Sequence, residues 1–217
     1  LSTAELSIVQ ARKEINLFAE RMRRMFGMLK DLLHETNENE FNKLFSRIEK
    51  YENISDNMEL EIANYLNKVS EGRLSSESKL EIRGMLREVT EIESIGDSCY
   101  NLARTINRKR NGGSEFTEKQ YEHIHQMMQL TDDALAQMIA IVEDDYHVVD
   151  VNKTFNIENE INNYRAQLKN QNVVDVNNKE YDYQMGVHYM DLIGECEKLG
   201  DYVVNVVEAR TNVKEKK

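Results

Sequence analysis

The sequence predicts an all-α protein built as two tandem antiparallel three-helix bundles, six helices in all, and three observations carry that prediction. The first is that 217 residues contain no proline and only 9 glycines. Sheets and turn-rich folds use proline at edges and corners, whereas a helix interior excludes it. The second is apolar spacing of three and four residues along almost the whole chain. The third is an internal duplication, in which the second half repeats the acidic pattern of the first.

The first helix runs from about residue 3 to Leu33, with Ile8, Ala11, Ile15, Phe18, Met22, Met25 and Leu29 on one stripe. The polar stretch from Glu35 to Asn39 ends it. A second helix follows through Phe41, Leu44, Ile48, Tyr51, Ile54, Met58, Ile62 and Leu66, and the segment from Gly72 to Ser76 breaks the pattern again. The third carries Leu80, Ile82, Leu86, Val89, Ile92, Ile95, Cys99, Leu102 and Ile106, and stops at Arg108, Lys109 and Arg110 before Gly112 and Gly113. Basic residues ahead of glycine suit the negative end of the helix dipole. Thr117 can cap a fourth helix through Tyr121, Ile124, Met128, Thr131, Leu135, Met138 and Val142. A fifth spans roughly Val151 to Leu168, an Asn-rich connection is expected over Asn170 to Asn178, and a sixth runs from about Lys179 to Ala209. The division between the bundles is expected at 111/112, giving halves 1–111 and 112–217.

Composition narrows the function. Thirty-nine acidic against 28 basic residues leave a net charge of −11 with no long basic stripe, so a nucleic-acid partner is not expected. The two cysteines, Cys99 and Cys196, form neither a disulfide framework nor a paired zinc motif and read as small core residues in a reducing compartment. No apolar run approaches the ~18 residues of a membrane helix. The chain opens at Leu1 without a methionine, which suggests a piece of a longer protein. Most of the ten methionines are expected in the core.

At an offset of 104, Glu91, Glu93, Gly96, Asp97 and Asn101 of the third helix fall on Glu195, Glu197, Gly200, Asp201 and Asn205 of the sixth. At an offset of 106, Glu52 and Asp56 of the second helix fall on Glu158 and Asn162 of the fifth. Glu93 with Asp97, and Glu197 with Asp201, are four residues apart and share a helical face. Two readings stand side by side: a solvated acidic face, or a cation site. A cation site would draw on Glu52, Asp56, Glu93 and Asp97 in the first half and on Glu158, Glu197 and Asp201 in the second. Carboxylate oxygens suit magnesium, manganese, calcium or iron. Asn162 offers only a neutral oxygen, so unequal occupancy of the halves is expected. Asn101 and Asn205, one turn beyond the aspartates, are expected to orient them. Glu122 with His125 and Asp31 with His34 each have the Glu/Asp-x-x-His spacing of carboxylate-bridged metal sites, but each stands near a helix end and reads as surface. For His123, His147 and His188 the sequence alone does not identify a partner, and no set of catalytic residues is legible.

With these residues in view, Glu93-Ser-Ile-Gly-Asp97 and Glu197-Lys-Leu-Gly-Asp201, each on the third helix of a set and joined by Glu52-x-x-x-Asp56, the chain resembles the PhoU family of phosphate-signalling proteins along nearly its full length. The resemblance implies two tandem three-helix bundles, a regulatory rather than enzymatic role, and iron, zinc, magnesium or another divalent ion at the acidic clusters. The family pattern Glu-Arg-Ile-Gly-Asp-His is altered here: Ser94 and Lys198 follow the glutamates, and Ser98 and Tyr202 follow the aspartates. Similar domains form the cytoplasmic C-terminal part of bacterial sodium/phosphate cotransporters. The altered motif, the absent methionine and the tail Lys214 to Lys217 lead to the expectation of such a domain at the cytoplasmic face of the inner membrane. Its partner would be the transmembrane part of the same transporter, with a homodimer as a further candidate assembly. Two alternatives are a free-standing PhoU-type regulator of an ABC phosphate transporter and its sensor kinase, and a carboxylate-bridged di-metal enzyme.

Overall fold

The computed structural model describes residues 3–212; the tail Lys214 to Lys217 lies outside the described residues. Six helices follow one another: α1 Thr3–His34, α2 Glu38–Ser70, α3 Ser76–Asn111, α4 Glu118–Val142, α5 Asn152–Asn177 and α6 Tyr183–Asn212. No strand is present among the described residues. Helices α1, α2 and α3 pack on one another as one bundle, α4, α5 and α6 as the other. The bundles meet where α3 lies along α6 and α1 along α4.

Local chemistry sets the helix starts. Asn37, Ser75 and Thr117 are extended residues whose side-chain oxygens accept from the backbone N–H three residues on, and Gln120 closes a reciprocal box by accepting from Thr117 N–H. Asp182 does the same for α6, accepting from Met185 N–H at 2.8 Å. Between these starts most of the apolar stripes are buried as their spacing predicts, with Phe18, Phe26, Ile48, Met85, Ile92 and Ile95 fully enclosed, while Ile54 of α2 is exposed because α2 turns Ser55 inward instead. Met22, Met25, Met28, Met127, Met128 and Met138 all fill this core. Both cysteines are buried in it, and burial pushes Cys99 up and Cys196 up to about 12, so neither thiol is a nucleophile at neutral pH.

The main departure from the expected spans is α5, which continues through the Asn-rich stretch to Asn177. Asparagine is a weak helix former, by less than about 1 kcal/mol per residue, but it is no breaker. Gln171 donates to Asp175 one turn on, and Asn172 accepts from Tyr181 O–H at 2.6 Å. Two residues past the helix end at Asn177, Lys179 takes φ +60°, and Glu180 N–H bonds back to Asp175 O at 2.9 Å.

Two sets of polar contacts position the helices. Inside the first bundle, Arg12 Nη1 donates to both carboxylate oxygens of Glu88, at 2.7 and 3.0 Å, and both residues are buried. Between bundles, Asn101 donates to Glu195 at 3.2 Å and Asn205 donates to Glu91 at 3.1 Å. These are the residues that the offset of 104 makes equivalent, so the α3–α6 seam contains the same bond twice, in opposite senses. The asparagines therefore bridge the bundles, instead of orienting Asp97 and Asp201 as their spacing suggested.

Candidate metal centre

On α2, Glu52, Asp56 and Glu59 follow at intervals of four and three and form a stripe beside the buried one that carries Ile48, Ser55 and Ile62. On α3, Glu93 and Asp97 form the facing stripe, next to buried Ile92, Ile95 and Gly96. The helices run side by side, so five carboxyl groups gather on one seam of the first bundle. Ligand oxygens of Glu52, Asp56 and Asp97 lie within 4.8 Å of one another. Oxygens bound at 2.0–2.6 Å to one ion span at most about 5 Å, so the donor set fits a hard divalent cation.

The protonation of the cluster shows how closely the charges are held. Burial, a hydrogen bond to Asp56 and the charge of Asp97 push Glu93 up to about 8. Burial, the charge of Asp56 and a hydrogen bond with Asp97 push Glu52 up to about 6. Glu59 is raised as well, by burial and then by Asp56 and Asp97. Protons on Glu93 and Glu52 relieve a repulsion that a divalent cation would relieve more fully.

The second bundle builds the same seam differently. Glu158 and Asp201 share a hydrogen bond, and Asn162 donates to Glu158 at 3.5 Å. Glu197 is drawn instead to Arg165, whose Nε stands 3.6 Å from its carboxylate. Arg165 is the residue that the offset of 106 places on Glu59. A guanidinium thus stands where the first bundle has a carboxylate, and an amide stands where it has Asp56. Three carboxyl groups with a built-in cation remain: Glu158, Glu197 and Asp201. Sequence reasoning stopped one helical turn short of both Glu59 and Arg165; carrying the same offset on by three residues finds them.

The two helical glycines of the repeat also differ. A Cβ at Gly96 would lie 2.7 Å from Ser55 Oγ and 2.9 Å from Met22 Sδ, so glycine here sets how near α3 comes to α1 and α2. At Gly200 the first atom met is Ile161 Cδ1, at 3.4 Å. Gly200→Ala is expected to stabilise the protein by about 0.5–1 kcal/mol through helix propensity. Gly96→Ala is expected to lose about 1–2 kcal/mol, because overpacking of about 1–3 kcal/mol exceeds that gain. Urea unfolding of the two variants, with opposite signs, checks the pair.

A PhoU domain model matches residues 15–106 and 124–209, one segment in each bundle. Two crystal structures are similar over essentially the whole chain. One is the phosphate transport system regulatory protein PhoU from Streptococcus pneumoniae, at 15% identity and TM-score 0.81, covering 99% of this chain and 98% of that one. The other is PhoU from Pseudomonas aeruginosa, at 13% identity and TM-score 0.77, covering 98% and 99%. Among curated proteins, no sequence is similar enough to count as a relative. The expectation of a sodium/phosphate cotransporter domain is corrected by these matches, in which this chain and PhoU proteins cover one another almost completely. Among the described residues, no helix is long and apolar enough to cross a membrane, since a charged stripe runs along each. The matched segments take in most of both bundles, and the chain belongs to the PhoU family.

Proposed function

We propose that this chain is a PhoU-type regulator of a phosphate transport system, acting from the cytoplasm on an ABC-type transporter and its sensor kinase. In this reading the first half, residues 1–111, binds a divalent cation through Glu52, Asp56, Glu93 and Asp97. In the second half, residues 112–217, Arg165 offsets the charge of Glu197, so Glu158, Glu197 and Asp201 bind a cation weakly. The observation that carries the reading is the convergence of three carboxylates within 4.8 Å on the seam of α2 and α3. Iron, zinc and magnesium are the candidate ions, with oxygen-only ligation favouring the harder ones.

The test has two arms. Elemental analysis of protein purified without chelator and loaded with manganese should find about one manganese ion per chain, lost in Asp97→Ala; manganese content unchanged by the substitution removes Asp97 from the site. In a bacterium lacking its own PhoU, this chain should restore restraint of phosphate uptake, and uptake that stays unrestrained overturns the regulatory assignment.

A further inference from the structure

The two Glu/Asp-x-x-His segments meet in space. His34 is the last residue of α1 and His125 lies two turns into α4, yet Nε2 of one is 2.6 Å from Nε2 of the other. Their ring planes are 2° from parallel and their centroids 4.6 Å apart. We propose that this pair is a second metal site, separate from the carboxylate centre, which takes a divalent transition cation of the zinc, nickel or copper kind and clamps α1 to α4 across the two bundles.

Two imidazole nitrogens can face each other this closely only with a proton between them, one ring donating and the other accepting. A cation replacing that proton uses both lone pairs. Tetrahedral zinc at ~2.0–2.1 Å from each nitrogen needs them about 3.4 Å apart, an opening of on the order of 1 Å between two exposed side chains. Both rings are exposed, so the ion has a path in. Beside them a cavity of about 400 Å³, lined by His34, Glu115 and Tyr121 among others, has room for the water that completes the coordination. His34 also stands at the C-terminus of a 32-residue helix, where the dipole favours positive charge. Asp31 and Glu122, one turn back on the same helices, add negative charge.

The cationic side chains nearby are already engaged. Lys109 is paired with Glu115 and lies over the Phe116 ring. Arg110 donates to the carbonyls of Glu35 and Thr36 and lies over Phe41. Imidazole selects zinc, nickel and copper, and carboxylate selects magnesium, calcium and manganese, so the two sites would sort ions by chemistry.

Copper(II) reads the site directly. One equivalent added to the full chain is expected to give an electron paramagnetic resonance spectrum with coupling to two imidazole nitrogens, unchanged in Asp97→Asn. His34→Gln and His125→Gln should each remove one coupling and weaken binding by more than about tenfold, since loss of a ligand costs at least as much as loss of a residue that orients one. Absence of nitrogen coupling in the wild type, or a spectrum unaltered by either substitution, overturns the proposal and leaves the pair a hydrogen bond between bundles. Both substituted side chains are exposed and the buried core of each bundle is untouched, so the variants should stay folded. On the unaltered chain, zinc should shift the ring signals of His34 and His125 in NMR spectra and leave those of His123 and His188 in place. The reverse pattern refutes the site.

Discussion

Replacing Arg12 by methionine is expected to lower the stability of the protein by about 3–5 kcal/mol, the range for breaking one side of a buried ion pair. Methionine keeps much of the apolar stem, so the loss reports the charge. Glu88 is fully enclosed, and in the native protein both its oxygens accept from Arg12. Burial already raises its pKa, with Arg12 opposing the shift first and Arg210 after it. Without Arg12 the carboxylate must stay charged beside Arg210 alone or take up a proton. Either course costs free energy at neutral pH. The deficit should therefore shrink as pH falls, because protonation removes the unpaired charge. Adding Glu88→Gln to Arg12→Met should recover much of it, as the remaining group is then neutral. Urea unfolding at pH 7 and pH 5 measures both effects. A loss under ~1 kcal/mol at pH 7 would show that Arg210 replaces Arg12, a result typical of exposed pairs.

The second large effect is on metal affinity. Glu93 stands at about 8 in the folded chain against its ordinary 4.5. Across that interval the native state holds more protons than the unfolded one, so the stability this group contributes is full below about 4.5 and is lost as pH rises through about 8. A cation that uses Glu93 must displace the same proton. Its apparent affinity should rise roughly 50-fold from pH 6 to pH 8 for that one proton. Glu52, at about 6, adds a smaller increment at the lower end. Manganese titrations by calorimetry in two buffers of different ionisation heat should show proton release on binding. Affinity independent of pH would mean that the ion does not engage Glu93.

The fold was legible because helical burial repeats every three to four residues and nothing in the chain interrupts it. The stretch from Asn170 to Asn177 misled because asparagine is enriched in loops, while its cost inside a helix is small and local side-chain bonds offset it. The acidic seam was legible for Glu52, Asp56, Glu93 and Asp97, whose four-residue spacing fixes a common face. What sequence could not show was the direction of Asn101 and Asn205: one turn from the aspartates is also the side that meets the other bundle. The His34–His125 contact was hidden for a similar reason, since each half of it looks like a solitary surface histidine.

The altered motif pointed towards a transporter domain, and packing explains why it did not signify that. Ser98 is buried, Ser94 bonds its hydroxyl back to Thr90 O at 3.2 Å, and Tyr202 packs against the core. These side chains settle into the helix or the interior without moving Glu93, Asp97 or Asp201 from their seams. A changed neighbour is a matter of local fit and carries no information on what the domain is joined to.

The doubled bond between α3 and α6 makes the meeting of the two bundles reciprocal. Each half supplies one glutamate and one asparagine, and each gives to the other what it receives. Such a surface is self-complementary, the property of a twofold dimer interface. Two copies of a three-helix unit with these groups could close on each other in the same way. In this chain the connection from α3 to α4 makes that pairing intramolecular, and the two halves differ at their acidic seams, where one has Glu59 and the other Arg165.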